Sequence, residues 1–396
     1  MRFRLFNTFE PPGAPIFKDL LPFLAKKGHE INVVISDISY RPIKSDYFEK
    51  SNLEKIKYNY MRSISLTKNK YISKLSTMIS YSFSAIINSL FSKRVHKNIF
   101  LTQPPLFFLW GFILFLLKRE RYICVMMDIY PDIATKAGII SDRGLVAKAT
   151  RFISNFALKQ AESVIVIGRC MKEKLERLGI SRRKIIIITN WVDEDSIKPI
   201  PHFRNSFKQI KDLNDKFIIM YSGNMGFGHY FDDILEVAKR IKDLKDVIFL
   251  FVGGGVRLNE IKEYKNIHHL ENIKLMPYQS YEIISQSLSS ADIHFISLRD
   301  GFEGLMVPSK IYSILAVGRP ILYQGPLNSE IAFMIKKYNI GFAIKRGEIK
   351  ELELNLLSIK NNYRLKKSLE KRSRSVLERY FNRESRLKLY ENILTR

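Results

Sequence analysis

The residues best suited to chemistry lie in one stretch, Glu303-Gly304-Leu305-Met306-Val307-Pro308-Ser309-Lys310-Ile311-Tyr312, which runs on to Gly318-Arg319-Pro320. A turn of small residues opens a predicted helix with Lys310 in its first turn, and a β-branched strand, Pro320-Ile321-Leu322, follows. N–H groups at a helix start are unpaired and carry partial positive charge, so they suit a phosphate. Lys310 adds a full charge at the same place, and the pattern fits a diphosphate. The same residues also fit an ordinary capped helix, with Pro308 near its first turn and Ser309 at the cap.

Two further turns resemble partners of this one. A predicted strand over 217–221 runs into Ser222-Gly223-Asn224-Met225-Gly226-Phe227-Gly228-His229. Its three glycines let backbone approach a ligand and permit positive φ, while Asn224 and His229 supply polar contacts. The glycine spacing is not a dinucleotide fingerprint, and no Gly-Lys-Ser/Thr follows to make a phosphate-binding P-loop. A strand over 247–252 runs into Gly253-Gly254-Gly255, which fits either close backbone approach or a flexible turn. Ser297-Leu298-Arg299-Asp300-Gly301-Phe302-Glu303 closes the intervening strand on the same predicted rim.

The elements that must position these turns alternate between strand and helix. Strands are expected at 2–7, 30–35, 99–101, 122–127, 163–167 and 184–189, then at 217–221, 247–252, 273–275, 293–297 and 320–323. β-Branched runs between helical stretches mark parallel sheets covered by helices. The expected fold class is α/β, with two Rossmann-like doubly wound domains facing a central cleft. The polar, proline-containing segment 197–215 separates them. We place an N-terminal domain at 1–195, a C-terminal domain at 196–378 and a last helix at 379–396, packing back on the first domain. Ligands of such sheets bind beyond the carboxyl ends of the strands.

Composition narrows the partners. The 396 residues are 46% hydrophobic and 12% aromatic, which excludes a disordered chain and suits two domains. The two cysteines, Cys124 and Cys170, form neither a disulfide framework nor a metal cluster, so a reducing cytoplasm is expected. Met1 to Phe6 leads straight into a strand, and no signal peptide is expected there. The net charge is +26, from 65 Lys and Arg against 39 Asp and Glu, which calls for an anionic partner. Between Glu54 and Glu120 there is no acidic residue. Within 55–119 an apolar set from Tyr71 to Phe91 recurs at helical spacing with basic clusters at both ends. Such a helix suits the surface of an anionic bilayer; a buried helix with solvated basic ends is the plainer alternative. The apolar run 106–117 is shorter than the roughly twenty residues of a spanning helix and is expected to be a core helix. No nucleic-acid motif accompanies the lysines.

The ordered set Tyr221-Ser222-Gly223-Asn224-Met225-Gly226, Gly253-Gly254-Gly255, Ala291-Asp292, Pro308-Ser309-Lys310 and Ala316-Val317-Gly318-Arg319-Pro320 resembles family 4 glycosyltransferases of the GT-B fold. Pro11-Pro12-Gly13-Ala14, Gly28-His29-Glu30, Asp128-Ile129-Tyr130-Pro131-Asp132 and Asn190-Trp191-Val192-Asp193 resemble the WbuB-like branch, sugar transferases of bacterial surface-polysaccharide pathways. The resemblance implies retaining transfer from a nucleotide-sugar, UDP-linked, with no metal and no other cofactor. The sugar would be an N-acetylated amino sugar or a deoxy sugar. The acceptor would be a polyprenyl-diphosphate-linked glycan of O-antigen or capsule, met at the cytoplasmic face of the inner membrane by a peripheral enzyme docking through 55–119. Carried over by position, Gly223, Asn224, Gly226, His229, Gly253, Gly254 and Tyr278 would border the donor. Pro308, Ser309 and Lys310 would meet its phosphates, with Gly13 and Ala14 closing over them. Asp128 would position or deprotonate the acceptor hydroxyl, although a strand-end helix cap explains the same residue.

The chain departs from that family at two places. Many members carry two glutamates with seven residues between, and the matching positions here are Leu305 and Ser313. Glu303 would take over part of the donor-sugar role. The arginine and lysine pair usual after the first strand of the C-terminal domain is absent, and His229 and Lys310 stand in for it. A nucleotide-sugar epimerase on the same fold, a basic nucleic-acid-binding protein and an inactive scaffold are the rival readings.

Overall fold

The structure is a computed structural model that describes residues 1–8, 16–38, 53–66, 70–102, 104–210 and 213–396. Gly13 and Ala14 lie outside the described residues. The chain divides into two compact units, 1–189 with 384–396, and 190–383.

The first unit is built on seven strands: β1 (Arg2–Phe6), β2 (Glu30–Ser36), β3 (Ile56–Met61), β4 (Lys97–Leu101), β5 (Arg121–Met126), β6 (Ser163–Val166) and β7 (Ile185–Ile187). All pair in parallel, in the order β3-β2-β1-β4-β5-β6-β7. Their central residues are buried, and Phe6 stacks on Phe100 with ring centroids 4.7 Å apart. A parallel sheet covered on both faces needs such apolar runs. The buried Arg4 is matched by Glu120 at 2.8 Å, and Asn98, Ser92 and the Lys93 carbonyl accept its other N–H groups. The last helix, Arg383–Thr395, lies in this unit from Glu384 onward, and Lys97 Nζ donates to the Ile393 carbonyl at 3.1 Å.

The second unit has six strands: β8 (Phe217–Asn224), β9 (Val247–Gly254), β10 (Ile273–Met276), β11 (Ile293–Ser297), β12 (Ile321–Gln324) and β13 (Gly341–Ile344). These are also parallel, in the order β10-β9-β8-β11-β12-β13. Tyr221, Phe231, Phe249, Phe251 and Phe295 lie in its core. In both sheets the chain winds outward in one direction, returns to the middle and winds outward in the other. The strand order therefore reverses beside β1 and β4 in one unit, and beside β8 and β11 in the other.

Two strands were not expected from the sequence, β3 and β13. Both are edge strands: β3 is interrupted by Lys57 and Asn59, and β13 is four residues long and begins at Gly341. The helix expected at 106–117 spans Leu109–Lys118 instead, because Leu106 adopts a left-handed φ of 67° in a turn ahead of it.

Candidate active site

In the second unit, β8 and β9 end side by side. Gly223 pairs with Gly253 and Asn224 with Gly254, and the Met225 N–H donates to the Gly254 carbonyl at 2.7 Å. Gly223 and Gly253 adopt φ of +126° and +133°, which L side chains rarely adopt. A Cβ on Gly253 would sit 2.2 Å from the Gly223 carbonyl oxygen. Glycine here lets two strand ends approach each other, and it leaves their backbone open at the switch point where such sheets bind ligands.

Lys310 reaches that point. It is the first residue of the helix Lys310–Ala316, after Pro308 and Ser309. Ser309 occupies the cap position in a helical conformation, and its side chain makes no cap hydrogen bond. The ammonium of Lys310 lies 3.3 Å from the centroid of the Tyr221 ring, and a Cβ on Gly223 would meet Nζ at 3.6 Å. Part of the Lys310 stem is exposed, but Nζ is shut off from solvent and has no hydrogen-bond partner. Burial holds its pKa well below the usual lysine value. A buried donor without an acceptor costs about 1–3 kcal/mol, more when charged, so it is the kind of group a bound anion would satisfy.

His229 stands across Tyr221, with ring centroids 5.6 Å apart. Its Nδ1–H donates to the Ser297 carbonyl at the end of β11 at 2.7 Å. Burial, with the Lys310 charge next, pushes its pKa down to about 3, so the ring is neutral at pH 7. His229 is thus a neutral wall of the site and supplies no second cation. Arg257 does that. It follows the triple glycine, its N–H donates to the Met225 carbonyl, and one guanidinium nitrogen meets Glu260 at 2.7 Å. Its buried Nε has no partner. Arg299, beyond β11, has its pKa lowered by burial and then by the charges of Arg257 and Arg346. Sequence reasoning passed over Arg257, Arg299 and the Tyr221 ring. The available signal was an arginine two residues past Gly253-Gly254-Gly255.

The remaining expected donor residues fall around these strand ends. The Tyr278 hydroxyl donates to the Gly254 carbonyl at 3.3 Å, with its ring half exposed over Gly254. Gly226 lies against the Asn224 amide, at 3.1 Å from a built Cβ. Glu303 accepts from the Gly301 N–H at 2.7 Å and is half-buried. Ser313 turns its hydroxyl back to the Lys310 carbonyl at 2.9 Å, and Leu305 is buried in the core. Arg319 is structural: it donates to the Ser289 carbonyl at 2.6 Å and pairs with Glu370 at 3.2 Å.

Asp128 belongs to the first unit, just past β5. The helix that follows, Asp132–Lys136, is preceded by Pro131 with no side-chain cap, so Asp128 is no cap. Asp132 is committed to Arg151 at 2.6 Å and Lys174 at 3.3 Å. Asp128 has no hydrogen bond or ion pair of that kind among the described residues. Burial raises its pKa to about 6, with the Lys74 charge opposing. A carboxylate so placed can take a proton near neutral pH.

Comparison with known proteins agrees with this geometry. Residues 203–376 match the family model "Glycosyl transferases group 1". The chain is 26% identical over 267 residues to a probable glycosyltransferase, WbjE, of Pseudomonas aeruginosa, covering 63% of this chain and 66% of that protein. It is 29% identical over 177 residues to a putative colanic acid biosynthesis glycosyl transferase, WcaI, of Escherichia coli K12, covering 44% and 43%. It thus spans about two thirds and under half of these relatives' lengths. In fold it is similar to HepE of Anabaena, solved with UDP and glucose, at a TM-score of 0.74 and 12% identity, covering 100% of this chain and 99% of that one. It is also similar to WaaG, a glycosyltransferase involved in lipopolysaccharide biosynthesis, at 0.72 and 12%, covering 99% of each. Two parallel-sheet α/β units and these neighbours give the chain the GT-B fold class. The strand ends that hold Gly223 and Gly253, and Lys310 beside them, all lie inside residues 203–376, the segment that matches the group 1 glycosyl transferases.

Proposed function

We propose that the chain is a retaining glycosyltransferase that moves a sugar from a UDP-linked donor to a polyprenyl-diphosphate-linked glycan in surface-polysaccharide synthesis. The single observation that carries the reading is the water-excluded, unpartnered ammonium of Lys310 beside the glycine strand ends of a group 1 domain. In transfer, the acceptor hydroxyl oxygen bonds to the anomeric carbon while the bond to the nucleotide diphosphate breaks. Negative charge grows on the departing phosphate, and a positive group fixed there lowers the barrier without reorganising. Lys310 and Arg257 fill that role in our reading, with no metal. Asp128 positions the acceptor hydroxyl or takes its proton. UDP is the first donor to test because a structure of similar fold holds it.

A lipid acceptor is supported by the first unit's surface. The helix Lys70–Phe91 presents Ile72, Leu75, Ile79, Phe83, Ile87 and Leu90 to solvent at spacings of three and four, with Phe83 65% exposed. A buried helix would not leave that stripe open. Among the described residues no helix is long and apolar enough to cross a membrane. The surface suits docking from one side of a bilayer, at the cytoplasmic face where nucleotide-sugars are made.

The test is transfer from a panel of UDP-sugars to a lipid-linked acceptor. Wild-type protein should transfer one of them. Lys310→Ala should lose about 100-fold or more in rate with the fold intact. Interconversion of free nucleotide-sugars without acceptor would instead make the chain an epimerase, and equal rates for wild type and variant would remove Lys310 from the mechanism.

A further inference from the structure

At the amino ends of β4 and β5 the first unit carries a pocket of about 560 Å³, lined among others by Arg94, His96, Lys97, Arg119, Arg121 and Arg396. No aspartate or glutamate lines it. The nearest carboxylate partner is Glu162, which is shared: it meets Lys97 at 2.8 Å and Arg121 at 3.8 Å. Lys97 is buried, and its other contact is the Ile393 carbonyl. Arg94 donates one N–H to the Arg119 carbonyl at 3.1 Å. The Arg119 guanidinium has no hydrogen bond or ion pair among the described residues, and its backbone is held at a left-handed φ of 57°. Five cationic side chains, Arg94, Lys97, Arg119, Arg121 and Arg396, therefore line a cavity large enough for a small anion, and of these Lys97 and Arg121 meet Glu162. Like charges within a Debye length, about 8 Å at physiological salt, repel unless an anion joins them.

We infer that this pocket is a binding site for a phosphate group. Guanidinium forks match phosphate oxygens two at a time, and four arginines line this pocket. The pocket is built where two helices end. Arg94 follows Lys70–Phe91 and Arg119 follows Leu109–Lys118, and each helix brings exposed apolar residues to its last turn: Leu90 and Phe91 on one, Leu116 and Leu117 on the other. Lys118 ties the two together, its ammonium donating to the Ser89, Leu90 and Ser92 carbonyls. A phosphate here can come from a lipid headgroup whose chains meet those apolar residues, or from a soluble phosphate. The site does not depend on the proposed sugar transfer, and its test uses binding alone.

The test compares wild type with the triple variant Arg94→Gln, Arg119→Gln, Arg121→Gln, and with a control of equal charge change on the second unit, Lys242→Gln, Lys262→Gln, Lys350→Gln. Lys97 is left in place because it is buried and paired. Circular dichroism and thermal melting establish that each variant is folded. The probes are inorganic pyrophosphate, by calorimetry, and vesicles of phosphatidylcholine with phosphatidic acid, by co-sedimentation. The expected result is binding by wild type and control, and at least a tenfold weakening in the triple variant, with at least one probe. Weakening with vesicles alone assigns the site to a lipid headgroup, and weakening with pyrophosphate assigns it to a soluble phosphate. If neither probe binds wild type, or if the control weakens binding as much as the triple variant, the site does not exist. If the triple variant does not fold, single Arg94→Gln and Arg119→Gln variants replace it, each expected to lose threefold or more, and no loss in either overturns the site.

Discussion

Lys310 and Asp128 share a property: each is an ionisable group that folding desolvates without a hydrogen-bond or ion-pair partner among the described residues. For Lys310 the folded pKa lies below the unfolded value, so the unfolded chain binds the proton more tightly. Its contribution to stability therefore rises with pH between the lowered value and the ordinary lysine range, and at pH 7 it is a cost. Lys310→Met, which keeps length and removes charge, should melt at the same or a higher temperature than wild type without donor, while losing UDP affinity; a lower melting temperature with unchanged UDP affinity would make Lys310 a packing residue. Asp128 shows the opposite sign of shift with the same meaning. Its pKa of about 6 exceeds the ordinary aspartate value, so its ionised form opposes folding, and that cost disappears as pH falls through 6 towards 4. If the ionised form serves the acceptor hydroxyl, kcat/KM should fall about tenfold per pH unit below 6. Asp128→Asn should remove that limb, lower the rate by about 100-fold or more, and melt no lower than wild type at pH 7. A pH profile that Asp128→Asn leaves unchanged would assign the limb elsewhere.

At the scale of elements, the glycine turns do two things at once. Gly253 is compelled by its neighbour, because a side chain there meets the Gly223 carbonyl and also sits at a left-handed φ. Gly253→Ala should therefore cost roughly 2–5 kcal/mol of stability, read by denaturant unfolding, whatever ligand is present. Gly254 is different: its built Cβ meets only the edge of the Tyr278 ring at 3.3 Å. Gly254→Ala should cost under about 1 kcal/mol and act on donor binding instead. This difference shows what the sequence could and could not reveal. The central strands were legible because parallel strands buried on both faces are continuous apolar runs, as in Phe249-Leu250-Phe251-Val252. The strand β3 was not, since Lys57 and Asn59 interrupt it, nor was β13, four residues that begin at a glycine. The place of Lys310 at a helix start was legible from Pro308 and Ser309 before it. The Tyr221 ring and Arg257 were not: the ring meets Lys310, and the Arg257 N–H meets the Met225 carbonyl, where β8 pairs with β9, a register that local periodicity does not encode.

On the scale of the whole molecule, charge and apolar exposure are gathered on the first unit, and the two should act together on an anionic bilayer. The segment between Glu54 and Glu120 holds no acidic residue, and the exposed stripe of Lys70–Phe91 lies within it. Further exposed apolar residues, Leu145 and Phe152, stand on the helix Leu145–Gln160, whose Phe156 packs edge-on against Phe112 of the helix Leu109–Lys118. Each basic side chain near an anionic surface adds roughly 1 kcal/mol, and that part is screened by salt. Burial of apolar side chains, at about 25 cal/mol per Å², is not screened. The two contributions can therefore be separated in one titration. Co-sedimentation with phosphatidylglycerol vesicles should weaken as sodium chloride rises, then level at a residual affinity. Ile79→Ser with Phe83→Ser should remove the residual and leave the salt-dependent part, and should leave the melting temperature unchanged because both side chains are exposed. Loss of all binding at high salt in wild type would mean that the stripe does not enter the bilayer and that charge alone holds the protein there.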